Sequence, residues 1–283
     1  MTTTPSPSRD AGAEAAEEFL RDFHDRGPGR QSVSGTRARL ADGRTGYQVV
    51  AGEVAGARRV LDLGCADGAL LEVLAAGGAE LLAGIDLAER ELALARLRPA
   101  LAGADLRLGR AQELPFADGS FDAVVSHMAL MLMHDVEQVA AEVARVLVPG
   151  GQLAVAVGGG AVEGQAASLF LALARPYFAA AAPERSMPRL GDGRARSREG
   201  LDQLFGPAGF APVGWSTVLI DLGGAAEQVW ESLTEAYYDM VLLDRAQTAA
   251  LRAEFLTAVE ELADRDGRIP AGLRLNVATS RRF

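Results

Sequence analysis

The chain of 283 residues carries 38 acidic and 28 basic side chains, a formal net charge of −10 that would repel a nucleic acid backbone unless the basic residues were strongly segregated. No apolar run reaches membrane-spanning length, and the N-terminal MTTTPSPSRD lacks the basic and apolar blocks of a signal peptide, so a cytoplasmic protein with neither membrane nor nucleic acid as partner is expected. Cys65 is the single cysteine, which rules out an internal disulfide and a cysteine-based metal site; no metal is expected.

Residues 1–12, rich in Ser, Thr and Pro, read as a disordered tail. Residues 13–26 read as an amphipathic helix with Phe19, Leu20 and Phe23 on one side, and His24 near its end. A glycine-punctuated segment follows and leads into a helix over 47–56. The most informative stretch is RVLDLGCADGALLEVL. A strand ends in an acid and a glycine turn, and a helix begins at once, which is a βα unit built to hold a ligand at its turn. Gly64 and Gly68 admit a close approach of backbone to ligand, and the first amides of the helix point outward. Asp62, an acceptor, suits a cationic or hydroxyl-bearing ligand rather than a pyrophosphate. The spacing Gly64, Ala66, Gly68 also departs from the G-x-G-x-x-G of dinucleotide sites, so a dinucleotide oxidoreductase is disfavoured.

Later elements alternate strand and helix. AELLAGIDLAERELALARL gives a second strand ending at Asp86-Leu87; GRAQELPFADGSFDAVVSHMAL gives a loop and a strand ending at Ser126-His127; VARVLVPGGQLAVAV gives a helix, a Pro-Gly-Gly turn and another strand. A helical stretch occupies much of 158–196 and ends in a Pro- and Gly-rich loop. Its short basic cluster, RLGDGRARSR, reads as a solvated loop, with binding of a substrate phosphate or carboxylate as the alternative. Residues 197–221 give a helix and a strand, two helices occupy 225–268, and LRLNVATSRR closes as an alternating strand.

D-L-G-C-A-D-G and the three later landmarks, in register over about a hundred residues, resemble the class I S-adenosylmethionine-dependent methyltransferases. The resemblance implies an α/β fold with a Rossmann-like seven-stranded sheet, helices on both faces and a mainly helical lid. In that division 13–57 is an N-terminal lid segment, 58–157 the cofactor-binding core, 158–196 a helical insertion, and 197–283 the rest of the core with an insertion at 225–268. It implies S-adenosyl-L-methionine as cofactor, held by Asp62, Gly64, Cys65, Ala66 and Gly68 in the first loop, by Asp86 and Leu87 at the ribose, by Ala111 and Gln112 at the adenine, and by Ser126. Two points qualify these assignments. Ala66 stands where the family has its middle glycine, a mild change if its dihedrals are ordinary. Arg110 stands where relatives often carry an aspartate, and it offers the adenine amine no acceptor. Cys65 reads as a small side chain beside the cofactor rather than a nucleophile.

Methyl transfer needs an aligned acceptor and, for an amine or phenol, a base. His127, at the end of the fourth strand, is the first candidate base and His24 the second; hydrogen bonding at the strand end is the alternative for His127. His134 reads as a surface or helix-cap residue, the methionines of MALMLM as core, and Trp230, Tyr237 and Tyr238 mostly as core. The expected reaction is methylation of an oxygen or nitrogen of a small secondary metabolite, as in antibiotic biosynthesis. The alternative is a methyltransferase-like protein that binds the cofactor but guides a cyclisation or elimination. A homo-oligomer is left open.

Overall fold

The structure, a computed structural model, describes residues 11–283. The expected disordered tail lies outside the described residues except for Ala11 and Gly12, which open the first helix. Three helices come first: α1 (Ala11–Arg26), α2 (Arg30–Arg37) and α3 (Gly46–Glu53). α2 lies inside the glycine-punctuated segment, where RQSVSGTR shows no apolar period to announce a helix. A capping box starts α3: Gln48 N donates to Thr45 Oγ1 at 3.2 Å and Thr45 N donates to Gln48 Oε1 at 2.9 Å.

The core then alternates β1 (Arg59–Leu63), α4 (Ala69–Ala76), β2 (Leu81–Asp86), α5 (Glu89–Arg96), β3 (Asp105–Leu108), β4 (Phe121–His127), α6 (Val136–Val146) and β5 (Leu147–Ala161). α7 (Ala166–Ala179), α8 (Arg198–Phe205), β6 (Gly214–Asp221), α9 (Ala226–Ala236), α10 (Arg245–Val259) and β7 (Gly272–Arg281) complete it. The seven strands form one sheet in the order β3-β2-β1-β4-β5-β7-β6, parallel through β5 and antiparallel at β7. This is the expected Rossmann-like sheet.

Strand alternation builds two cores. Leu61, Leu63, Val124 and Val155 face one way onto α6 and α8; Val60, Val125, Ala154 and Ala156 face the other way onto α3, α4 and α5. A third cluster stands apart from both. Phe170 of α7, Trp230 and Leu233 of α9, and Phe255 of α10 bury one another, with the Phe170 ring 5.8 Å from Trp230 and 5.9 Å from Phe255. The two expected insertions therefore share one small core of their own. Among the described residues no helix is long and apolar enough to cross a membrane.

Candidate active site

The chain order reverses at β1, where β2 lies on one side and β4 on the other, and ligands of open α/β sheets bind beyond the strand ends at such a point. A cavity of about 740 Å³ opens there. Its floor is the loops after β1, β2 and β4, and its other walls come from α1, the segment 236–239 and the start of β7.

Gly64 has φ +72°, and a Cβ there would stand 2.4 Å from the Ala129 Cβ, so only glycine fits. The Gly64 and Cys65 amides both donate to the Ile85 carbonyl, at 2.9 and 3.1 Å, which lashes the loop to β2. Ala66 has φ +44° and so is left-handed; the replacement of the usual glycine is a strained one, not the mild change expected of ordinary dihedrals. Its amide donates to Asp86 Oδ2 at 2.8 Å, which helps to hold the turn. Gly68 caps α4 at φ +82° but does not line the cavity; a Cβ there would press on Leu101 and Ala95, so its role is packing. The Cys65 thiol packs against Gly84, and burial pushes it well above its ordinary pKa, which leaves it inert.

Asp62 is buried beneath this loop, and its Oδ1 has no hydrogen-bond partner. Burial, and then the charge of Asp86, push its carboxyl well above the usual carboxylate range. Asp86 lines the cavity at the end of β2, its Oδ1 accepting from the Ala88 amide at 2.9 Å and its Oδ2 from Ala66. Burial raises its pKa too, although the two backbone amides offset part of the effect. Each of its oxygens keeps a second acceptor site. Leu87, Ala111 and Gln112 line the same side. The Gln112 amide nitrogen donates to the His134 carbonyl at 2.7 Å. Arg110 pairs with Glu17 of α1 through its Nε at 2.7 Å, both side chains largely buried, so the arginine that has no acceptor for an adenine instead pins the N-terminal helix over the cavity.

The three remaining expected residues separate. Ser126 does not line the cavity: its hydroxyl donates to the Leu63 carbonyl at 2.9 Å and accepts from the Leu130 amide at 3.1 Å, so it braces β1 against β4 instead of touching a cofactor. His127 lines the cavity, its ring centroid 4.4 Å from that of Tyr47 and its Nε2 buried without a partner. Burial pushes its pKa down to about 4, which makes it a weak proton acceptor. His24 also lines the cavity, but its Nδ1 meets Glu91 Oε1 at 3.2 Å and its Nε2 meets the Tyr238 hydroxyl at 3.0 Å. It latches α1 to α5 and to the segment after α9, and no ring nitrogen is left for a base. His134 is not a helix cap: its Nε2 lies 3.0 Å from the Arg189 carbonyl and 3.3 Å from the Gly191 amide, which fastens the loop before α8.

That loop is not merely solvated. Ala195 is fully buried, and Arg196 reaches Met131 Sδ at 3.4 Å at the cavity wall. Trp230 is core as expected, Tyr237 stacks on Phe170 at 5.5 Å, and Tyr238 reaches the cavity. Sequence reasoning missed Tyr47, Glu17 and Arg274. Tyr47 opens a short helix in which nothing but the later contact distinguishes it. Glu17 is one of several acidic residues in α1, and its place on the buried face beside Ala13, Ala16 and Leu20 was the readable signal.

Comparison with known proteins agrees with this geometry. The Methyltransferase domain family matches residues 61–155. Methyltransferase GfsG of Streptomyces halstedii is 37% identical over 108 residues, 37% of this chain and 39% of that protein. The 27-O-demethylrifamycin SV methyltransferase of Amycolatopsis mediterranei is 37% identical over 101 residues, 34% of this chain and 37% of that protein. The similarity thus spans less than half of either relative. Among solved structures the [4+2]-cyclase SpnF superposes with a TM-score of 0.50 at 23% identity, covering 83% of this chain and 80% of the other, a likeness of fold. Residues 61–155 thus match a methyltransferase domain, and the sheet order and the loop after β1 agree with the fold of the class I S-adenosylmethionine-dependent methyltransferases.

Proposed function

We propose that this protein transfers a methyl group from S-adenosylmethionine to an oxygen or nitrogen of a small molecule, a secondary metabolite, enclosed beneath its helical lid. The observation that carries the reading is the buried, unpartnered Oδ1 of Asp62 under a loop whose Gly64 leaves no Cβ in the way. An unpaired buried carboxylate is costly, and a cationic ammonium group held at the loop mouth offsets that cost. The residues present fit the cofactor. Asp62 attracts its ammonium end, Asp86 has acceptor capacity for two ribose hydroxyls, and Leu87, Ala111 and Gln112 flank the adenine side. When bound, the cofactor supplies a methyl group activated on a sulfonium.

The chain's own part is alignment and exclusion of water. α1, pinned by Arg110–Glu17 and latched by His24, covers the cavity together with the segment 236–239. His127, neutral above pH 4, offers Nε2 to orient an acceptor hydroxyl or amine, and its low basicity favours acceptors that lose their proton to water or after transfer. Incubation with the cofactor and candidate small molecules, followed by mass spectrometry, tests the reading. It expects S-adenosylhomocysteine together with an acceptor heavier by one methylene; product without S-adenosylhomocysteine would assign the chain to cyclisation or elimination.

A further inference from the structure

Three arginines line the cavity, and they are not alike. Arg110 is paired with Glu17. Arg274 of β7 donates to the Ala161 carbonyl at 2.7 Å, and Arg196 of the turn before α8 reaches only the Met131 thioether. Among the described residues neither has a carboxylate at ion-pair distance, although Glu235 and Asp239 also line the cavity.

Both arginines lie on the β5–β7 side of the cavity. Arg274 is in register with Gly160 of β5, and Met131, which Arg196 meets, also accepts from the Gly158 amide at 3.3 Å. β7 is two strands from β4, so the backbone of Arg274 lies roughly 10 Å across the sheet from the strand that carries His127. The cavity lining also includes the apolar side chains of Met128, Ile220, Leu273 and Leu275. A guanidinium fork with free donors beside an apolar wall matches an oxyanion on an apolar body, since carboxylates and phosphates accept two parallel hydrogen bonds from it.

We propose that Arg274 and Arg196 form an anion subsite that binds a carboxylate or phosphate group of the acceptor and so selects acidic substrates with an apolar body. This inference rests on the reading of the cavity as the acceptor pocket. It holds the reacting end of the molecule toward β4 by fixing the other end, and Arg274 acts as the specificity determinant.

The test uses the full chain saturated with S-adenosylhomocysteine and three probes of one length: octanoate, octyl phosphate and the neutral octanamide, followed by ligand-detected NMR. At least one anion should bind about tenfold or more tightly than the amide, and Arg274→Gln and Arg196→Gln should each weaken it about tenfold while amide binding is unchanged. Whichever anion binds better identifies the source as a carboxylate or a phosphate. Equal binding of amide and anions, or undiminished anion binding in both variants, overturns the subsite. Should Arg274→Gln fail to fold, Arg274→Lys, which keeps the charge but loses the fork, and Arg196→Gln on its exposed turn carry the test. Arginine-dependent binding of octanoate by a chain that does not bind S-adenosylhomocysteine would overturn the proposed methyl transfer and leave the subsite standing.

Discussion

At the scale of single residues the site is organised around groups that the fold leaves in want of a partner. Asp62 is the clearest. Asp62→Asn removes a carboxyl that burial penalises whenever it ionises, so the ligand-free protein should be at least as stable as wild type at pH 7, and increasingly more stable as pH rises, while cofactor affinity falls. Chemical denaturation and calorimetry on the same preparation check this, and a variant that is both less stable and unaltered in binding would contradict it. His127 gives a second, signed prediction. Its folded pKa of about 4 lies below the ordinary value, so between these limits the unfolded chain takes up a proton that the folded chain refuses. The stability contributed by the neutral ring is complete above about pH 6.5 and is lost as pH falls toward 4, by up to about 3 kcal/mol. Asp62 and Asp86, raised by burial, work in the opposite direction, so the comparison is with His127→Leu. The wild type should lose more stability than the variant from pH 7 to pH 4, and parallel curves would show an exposed imidazole.

At the scale of elements α7, α9 and α10 form a unit with its own core. Phe255 is fully buried among Phe170 and Trp230, and Phe255→Ala should cost about 3–5 kcal/mol locally. Amide exchange should quicken in α7, α9 and α10 while β1, β4 and β5 stay protected; uniform loss of protection would merge this cluster with the main core. The strands and the glycine turn were legible in the sequence because alternation, Asp62 and the paired glycines encode them locally. α2 was not, because its eight mostly polar residues are helical through docking: buried Ser32 donates to Asp67, which Arg98 also grips. Nor could the sequence show that Ala66 is left-handed, since Asp86, twenty residues away, helps to hold that turn.

At the scale of the whole molecule, the sheet brings residues from β1, β2, β4 and β7 to one cavity, over which α1 and the segment 236–239 pack. The candidate cofactor residues were readable because most of them sit in the turns that directly follow β1 and β2. Gly68 and Ser126 belong to the same motifs yet point into packing, a distinction that only the fold makes. The residues that close the cavity, Glu17, His24 and Tyr238, or that face its far end, Arg196 and Arg274, are separated by up to 257 positions in the chain, and no local pattern links them. The central claim is that Asp86 and Asp62 hold S-adenosylmethionine at the switch between β1 and β4. Isothermal titration of the full chain with S-adenosylmethionine tests it most directly. Binding should be saturable and weakened by about 1–3 kcal/mol in Asp86→Ala, which leaves the ribose hydroxyls without a charged acceptor; absence of heat at millimolar cofactor, or equal affinity in wild type and variant, would contradict it.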